Sequence, residues 1–145
     1  CDCDEDGVIS QMIEIYNQHQ CSVVAIEEVP MNQTHKYGII AGKQIENSND
    51  TFLVTDMIEK PEQKNAPSNM AIIGRYILTP DIFNILKNIK PDKNGEIQIT
   101  DALLVQAKQA KVIAYKFKGR RFDCGSVKGY LEATNYYANK LSINI

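Results

Sequence analysis

Three observations predict an α/β layer arrangement. Ser22 to Val29 and Asn69 to Leu78 are runs rich in apolar residues, which fit strands buried on both faces. Segments with apolar residues at three- and four-residue spacing alternate with segments rich in β-branched residues. The resulting order is helix, strand, hairpin, strand, helix, helix, strand, helix. Helices and strands are thus mixed along the chain, as a sheet with flanking helices requires.

Taken in order, Cys1 to Asp6 is acidic with no apolar anchor and reads as a loop or a cut end. Gly7 to Gln20 reads as a helix whose inner face carries Ile9, Met12, Ile13 and Tyr16. The acids before it suit the positive end of the helix dipole. Val23, Val24, Ala25 and Ile26 centre the first strand, and Pro30 stops it. Lys36 to Ala41 is a short second strand, in which Gly38 leaves room for a close approach. Glu46 to Asp50 is a turn, and Thr51 to Ile58 is the hairpin partner. Pro61 lacks an N–H and ends that strand.

Glu62 to Ser68 is a polar loop, and Asn69 to Leu78 is a strand with Gly74 inside it. Thr79-Pro80-Asp81 starts a helix, with Thr79 as cap and Pro80 at the first helical position. Ile82, Ile85, Leu86 and Ile89 share its inner face. Gly95 to Asp101 leads into a further helix through about Gln109. Lys111 to Phe117 alternates apolar and polar residues and reads as a strand open to water on one side. Ser126 caps the last helix, with Tyr130, Thr134, Tyr137 and Leu141 on one face.

The 145 residues suffice for one domain burying about 70% of its unfolded surface. A net charge of -2 and the lack of a basic patch argue against nucleic-acid binding. No run of 18 apolar residues occurs, and no signal-peptide pattern is visible, so no membrane partner is expected. Cys1, Cys3, Cys21 and Cys124 match neither a disulfide framework nor a paired zinc motif. Cys1, Cys3, His19 and Cys21 do not have the usual zinc spacing, and free thiols in a reducing cytoplasm fit better. Neither GxxxxGK[ST] nor GxGxxG is present.

Four short motifs stand at element ends: Tyr37-Gly38, Glu59-Lys60-Pro61, Gly95 to Asp101, and Phe122-Asp123-Cys124-Gly125. Each has a plain structural reading. Tyr37-Gly38 can be strand packing, and Glu59 and Lys60 solvated charges. Glu96 and Asp101 can favour a helix N-terminus, and Asp123 a turn. A carboxylate and an ammonium at a strand exit nevertheless occupy a place where α/β sheets bind ligands.

In combination, EKP at 59–61, APSNMAIIGRY at 66–76, GEIQITDA at 95–102 and FDCG at 122–125 resemble the bacterial UTP–glucose-1-phosphate uridylyltransferases, or UDP-glucose pyrophosphorylases. The likeness runs from about Gly7 to Leu141. The two long stretches are specific to these enzymes, whereas EKP and Asp-x-Gly fit any sugar nucleotidyltransferase. The resemblance implies a Rossmann-like mixed sheet flanked by helices, of which residues 1–145 form the C-terminal, sugar-phosphate-binding portion.

The resemblance also assigns roles. Gly38 and Glu59 would hold glucose hydroxyls, and Lys60 would grip the phosphate of glucose 1-phosphate. Asp123 would be one of two aspartates binding Mg²⁺, and Glu96 and its neighbours would line the sugar end of the site. Tyr37 and Gly74 complete the expected substrate-binding set, and Lys60 and Asp123 are the expected catalytic residues. UTP, glucose 1-phosphate and UDP-glucose are the implied small-molecule partners, in the cytoplasm.

These enzymes also carry a glycine-rich nucleotide loop and a first metal-binding aspartate, both missing here. The chain alone is therefore expected to be inactive. It is also expected to expose a strand edge that invites a second copy into a homo-oligomer. Two alternatives stay open: transfer to another sugar or nucleotide, and a non-catalytic sugar-phosphate-binding or oligomerisation remnant.

Overall fold

In the computed structural model, which describes residues 7–142, both long apolar runs are strands. β1 is Ser22–Glu28, β2 Gly38–Gln44, β3 Thr51–Glu59, β4 Met70–Ile77 and β5 Val112–Lys116. The helices are α1 Val8–His19, α2 Ile82–Leu86, α3 Ile99–Ala107 and α4 Val127–Lys140. Short 3-10 segments occupy Met31–Lys36 and Gln63–Asn65, so Lys36 precedes β2 instead of opening it. The acidic opening, Cys1 and Cys3 among it, lies outside the described residues.

The sheet is mixed. β1 and β5 run parallel, and the other neighbouring pairs are antiparallel. The strand order β1-β4-β2-β3-β5 closes on itself, because β5 pairs with both β3 and β1. The expected open edge is therefore absent: each described strand has a neighbour on either side. The closing ladders are short, at Ile39 and Ile40 between β2 and β4 and at Thr51 to Leu53 between β3 and β5.

Two compact units are present. One spans Ile9–Phe117, and the other takes in Gly7 and Val8 with the described residues from Lys118 to Ser142. In the first unit, Val24, Ile26, Ile40, Val54, Ile72 and Leu103 belong to the main apolar cluster. β5 departs from the expected half-wet strand, since Val112 to Tyr115 are all buried. Val112 and Ala114 join the cluster that holds Leu103 and Ala107 of α3. On the other side, the Tyr115 hydroxyl donates to Gln11 Oε1 of α1 at 3.0 Å. A strand between two paired neighbours, with helices near both faces, has no wet side.

Two helix faces differ from expectation. In α1, Val8 and Met12 are buried, while Ile9 and Ile13 are 44% and 46% exposed. In α4, Tyr130 is 60% exposed and Leu141, just past its end, 64%, while the buried residues are Gly129 and Ala138. The stripe expected to share one face, Tyr130, Thr134, Tyr137 and Leu141, is exposed throughout. A Cβ on Gly129 would stand 1.9 Å from the Asp123 carbonyl oxygen, so only glycine permits that approach. The Ser126 cap is as expected, its hydroxyl accepting from the Gly129 N–H at 3.1 Å. Phe122 and Tyr136 pack at 5.0 Å, with the Arg120 guanidinium 4.8 Å over the Phe122 ring. Thr79 does not cap α2 with its side chain. Among the described residues, no helix is long and apolar enough to cross a membrane.

Candidate functional site

The site is built at the exit of β3. Glu59 is its last residue, and Gly38, the first residue of β2, lies opposite it in the ladder. Lys60 then turns out of the sheet with φ of +45°, a left-handed conformation unusual for a residue with a side chain. Its N–H still donates to the Tyr37 carbonyl at 3.0 Å, and the buried Pro61 ends the pairing. Such backbone strain costs on the order of 1–3 kcal/mol and concentrates at functional sites.

Glu59 is held from several sides. Its Oε2 accepts a hydrogen bond from the Thr100 hydroxyl at 2.5 Å. Its Oε1 lies 3.7 Å from Lys60 Nζ. A Cβ on Gly38 would come within 3.0 Å of Oε2 and 3.4 Å of Thr100 Oγ1, so glycine here makes room for the carboxylate. The Tyr76 phenol is pushed up from its ordinary pKa by burial first and by the Glu59 charge second. Lys60 itself is exposed, so its pairing with Glu59 is weak and its ammonium is available to an anion.

Glu59, Lys60, Gly38 and the Tyr37 backbone therefore come together as expected. Gly74 has φ of +74° in the irregular stretch of the β1–β4 ladder, and a Cβ there would touch nothing. Tyr76, two residues on, feels the Glu59 charge. Glu96 is exposed; its N–H donates to Asp92 Oδ1 at 3.0 Å, and its Oε2 accepts from Gln98 at 3.2 Å. The residue of the Gly95 to Asp101 stretch that reaches Glu59 is Thr100.

Thr100 and Tyr76 were not singled out from sequence, although both lie inside the motifs. A threonine at a helix start and a tyrosine at a strand end carry no distinctive local signal. What identifies them is the contact across 41 residues of chain for Thr100, and the charge facing Tyr76.

Asp123 belongs to the other unit. It is exposed, and its Oδ1 accepts the Gly125 N–H at 3.1 Å. Its Oδ2 lies 3.9 Å from Arg121 Nη1. Among the described residues, no group of three or more His, Cys, Asp or Glu is placed to hold a metal ion. Asp123 offers one exposed hard carboxylate. That fits a Mg²⁺ ion shared with phosphates, which takes one or two carboxylates and fills its shell with phosphate oxygens and water. Cys21 and Cys124 are free thiols.

The nucleotidyl transferase family profile matches residues 5–140. A UTP–glucose-1-phosphate uridylyltransferase of Pseudomonas aeruginosa is 60% identical over 131 residues, which are 90% of this chain and 46% of that protein. The crystal structure of a UDP-glucose pyrophosphorylase complexed with UDP-glucose superimposes with a TM-score of 0.89 at 55% identity. It covers 97% of this chain, which covers 52% of it. A UTP-bound relative from Acinetobacter baumannii gives a TM-score of 0.77 at 36% identity, covering 94% of this chain and 47% of its own. The chain spans about half the length of the curated relatives it matches.

Proposed function

The chain belongs to the nucleotidyl transferase family, and from that premise we propose that residues 1–145 are the sugar-phosphate-binding portion of a UTP–glucose-1-phosphate uridylyltransferase. The observation that carries this reading is the exit of β3. There a strained Lys60 sets an ammonium beside a Glu59 carboxylate that Thr100 holds in place.

The chemistry follows from these groups. In the whole enzyme, an oxygen of the sugar phosphate attacks the α-phosphorus of UTP. One P–O bond forms, the bond to the β-phosphate's bridging oxygen breaks, and pyrophosphate leaves with that electron pair. Two anions have to approach each other, so positive charge governs the barrier. Lys60 would hold the phosphate of glucose 1-phosphate. An opposite charge at about 4 Å contributes up to roughly 4 kcal/mol at an effective dielectric near 20, and less at this exposed position. Glu59 would accept sugar hydroxyls through charge-assisted hydrogen bonds. Asp123 would contribute one carboxylate to Mg²⁺, which when bound supplies charge neutralisation at the phosphates. No side-chain nucleophile is required. The free thiols and the nucleotide substrates suit a cytoplasmic protein.

Calorimetric titration of the chain with glucose 1-phosphate tests the reading. The parent should bind, and Lys60→Ala should weaken binding about tenfold or more while the melting temperature stays within a few degrees, because the ion pair it removes is exposed. A parent that binds neither glucose 1-phosphate nor UDP-glucose overturns the proposal.

A further inference from the structure

We infer that Thr100 is a positioning residue that fixes the Glu59 carboxylate for sugar recognition, separately from the phosphate grip of Lys60. The inference rests on reading Glu59 and Lys60 as a sugar-phosphate site. Thr100 stands in the first turn of α3 and is only 4% exposed. Its hydroxyl does not cap its own helix, whose N-cap is Gln98 with no side-chain bond. It reaches across the fold to Glu59 Oε2 at 2.5 Å, within the range of an O–H donor on a carboxylate.

A glutamate at a strand exit has three rotatable side-chain bonds and would sample several orientations. Here Oε2 is tied to Thr100, and the missing side chain of Gly38 gives the carboxylate its seat. Oε1 faces the Lys60 side, 3.7 Å from the ammonium. The two charged groups thus divide their work. A pre-set carboxylate receives hydroxyl donors, while an exposed ammonium meets the phosphate. An acceptor already in place binds a sugar without the entropy cost of ordering it. Removing the Thr100 hydroxyl should therefore impair recognition of the sugar and leave recognition of phosphate intact.

The test titrates the chain with glucose 1-phosphate and, separately, with inorganic phosphate. Thr100→Val keeps the shape and deletes the donor; Thr100→Ser keeps the donor. Thr100→Val should bind glucose 1-phosphate about tenfold more weakly and inorganic phosphate within about twofold of the parent. Thr100→Ser should restore glucose 1-phosphate affinity to within about threefold of the parent. Equal affinity of Thr100→Val and the parent for glucose 1-phosphate, a parallel loss for inorganic phosphate, or failure of the serine to restore binding overturns the inference. Absence of glucose 1-phosphate binding by the parent is a different result: it overturns the site reading itself and the inference with it.

Discussion

Lys60 holds a backbone angle that costs a residue with a side chain about 1–3 kcal/mol. Its exposed ion pair with Glu59 is worth at most about 1 kcal/mol and does not offset that. The conformation survives because the Tyr37 carbonyl and the buried Pro61 fix the chain on both sides. Tyr76 reports on the same corner. Its phenol is raised above the ordinary value of 10.0 by burial and then by Glu59. A group with a raised folded-state pKa contributes stability that is complete below the unfolded value and lost as pH rises through the folded one. The parent should therefore lose more stability than Tyr76→Phe between about pH 8 and pH 11. Urea midpoints at both pH values measure it, and identical losses would show that the Tyr76 phenol is not raised in the folded protein.

At the level of elements, β1, the end of β4 and α3 are joined by a small polar network. The Ser22 hydroxyl donates to Gln106 Oε1 at 2.8 Å, and Gln106 Nε2 donates to Thr79 Oγ1 at 2.9 Å. The Thr79 N–H donates to Ser22 Oγ at 3.1 Å. Ser22 and Gln106 are fully buried. Thr79, read from sequence as a helix cap, is used here instead, because the buried amide needs a partner more than an exposed helix start does. Gln106→Leu should cost about 1–3 kcal/mol, since it strips partners from two hydroxyls. A shift of the urea midpoint with unchanged slope would measure this, and a shift below about 0.5 kcal/mol would contradict it. Element positions were readable because Pro30, Pro61 and Ser126 mark their ends through backbone chemistry that acts locally. Faces were less readable. The inner stripes of α1 and α4 and the burial of β5 depend on which neighbours pack there, and periodicity alone does not name the neighbour.

For the whole molecule, closure of the sheet removes the unpaired strand on which the expected self-association relied. The sequence holds neither glycine-rich phosphate pattern, and the curated relatives are about twice as long. On the proposed reading, the 145-residue chain should bind glucose 1-phosphate yet form UDP-glucose from UTP far more slowly than a full-length relative. Coupled detection of pyrophosphate checks this, and turnover near the relative's rate would sink it. The candidate site was half legible. Glu59-Lys60-Pro61 and Gly38 stood out because charge, proline and glycine are rare enough at element ends to be noticed. Thr100, a neutral residue of the Gly95 to Asp101 stretch with no distinctive local signal, is the one whose contact with Glu59 only the structure shows.

The sequence by itself determined the elements, their order and the motif set that resembles sugar nucleotidyltransferases, since caps, breakers and apolar periodicity act over a few residues. Only the tertiary structure decided that β5 closes the sheet, that Lys60 is left-handed, and that Thr100 donates to Glu59 while the Glu59 charge acts on Tyr76. Those facts depend on contacts between residues far apart in the chain. Their energies come from packing and from charge in a shared space, which a local pattern does not encode.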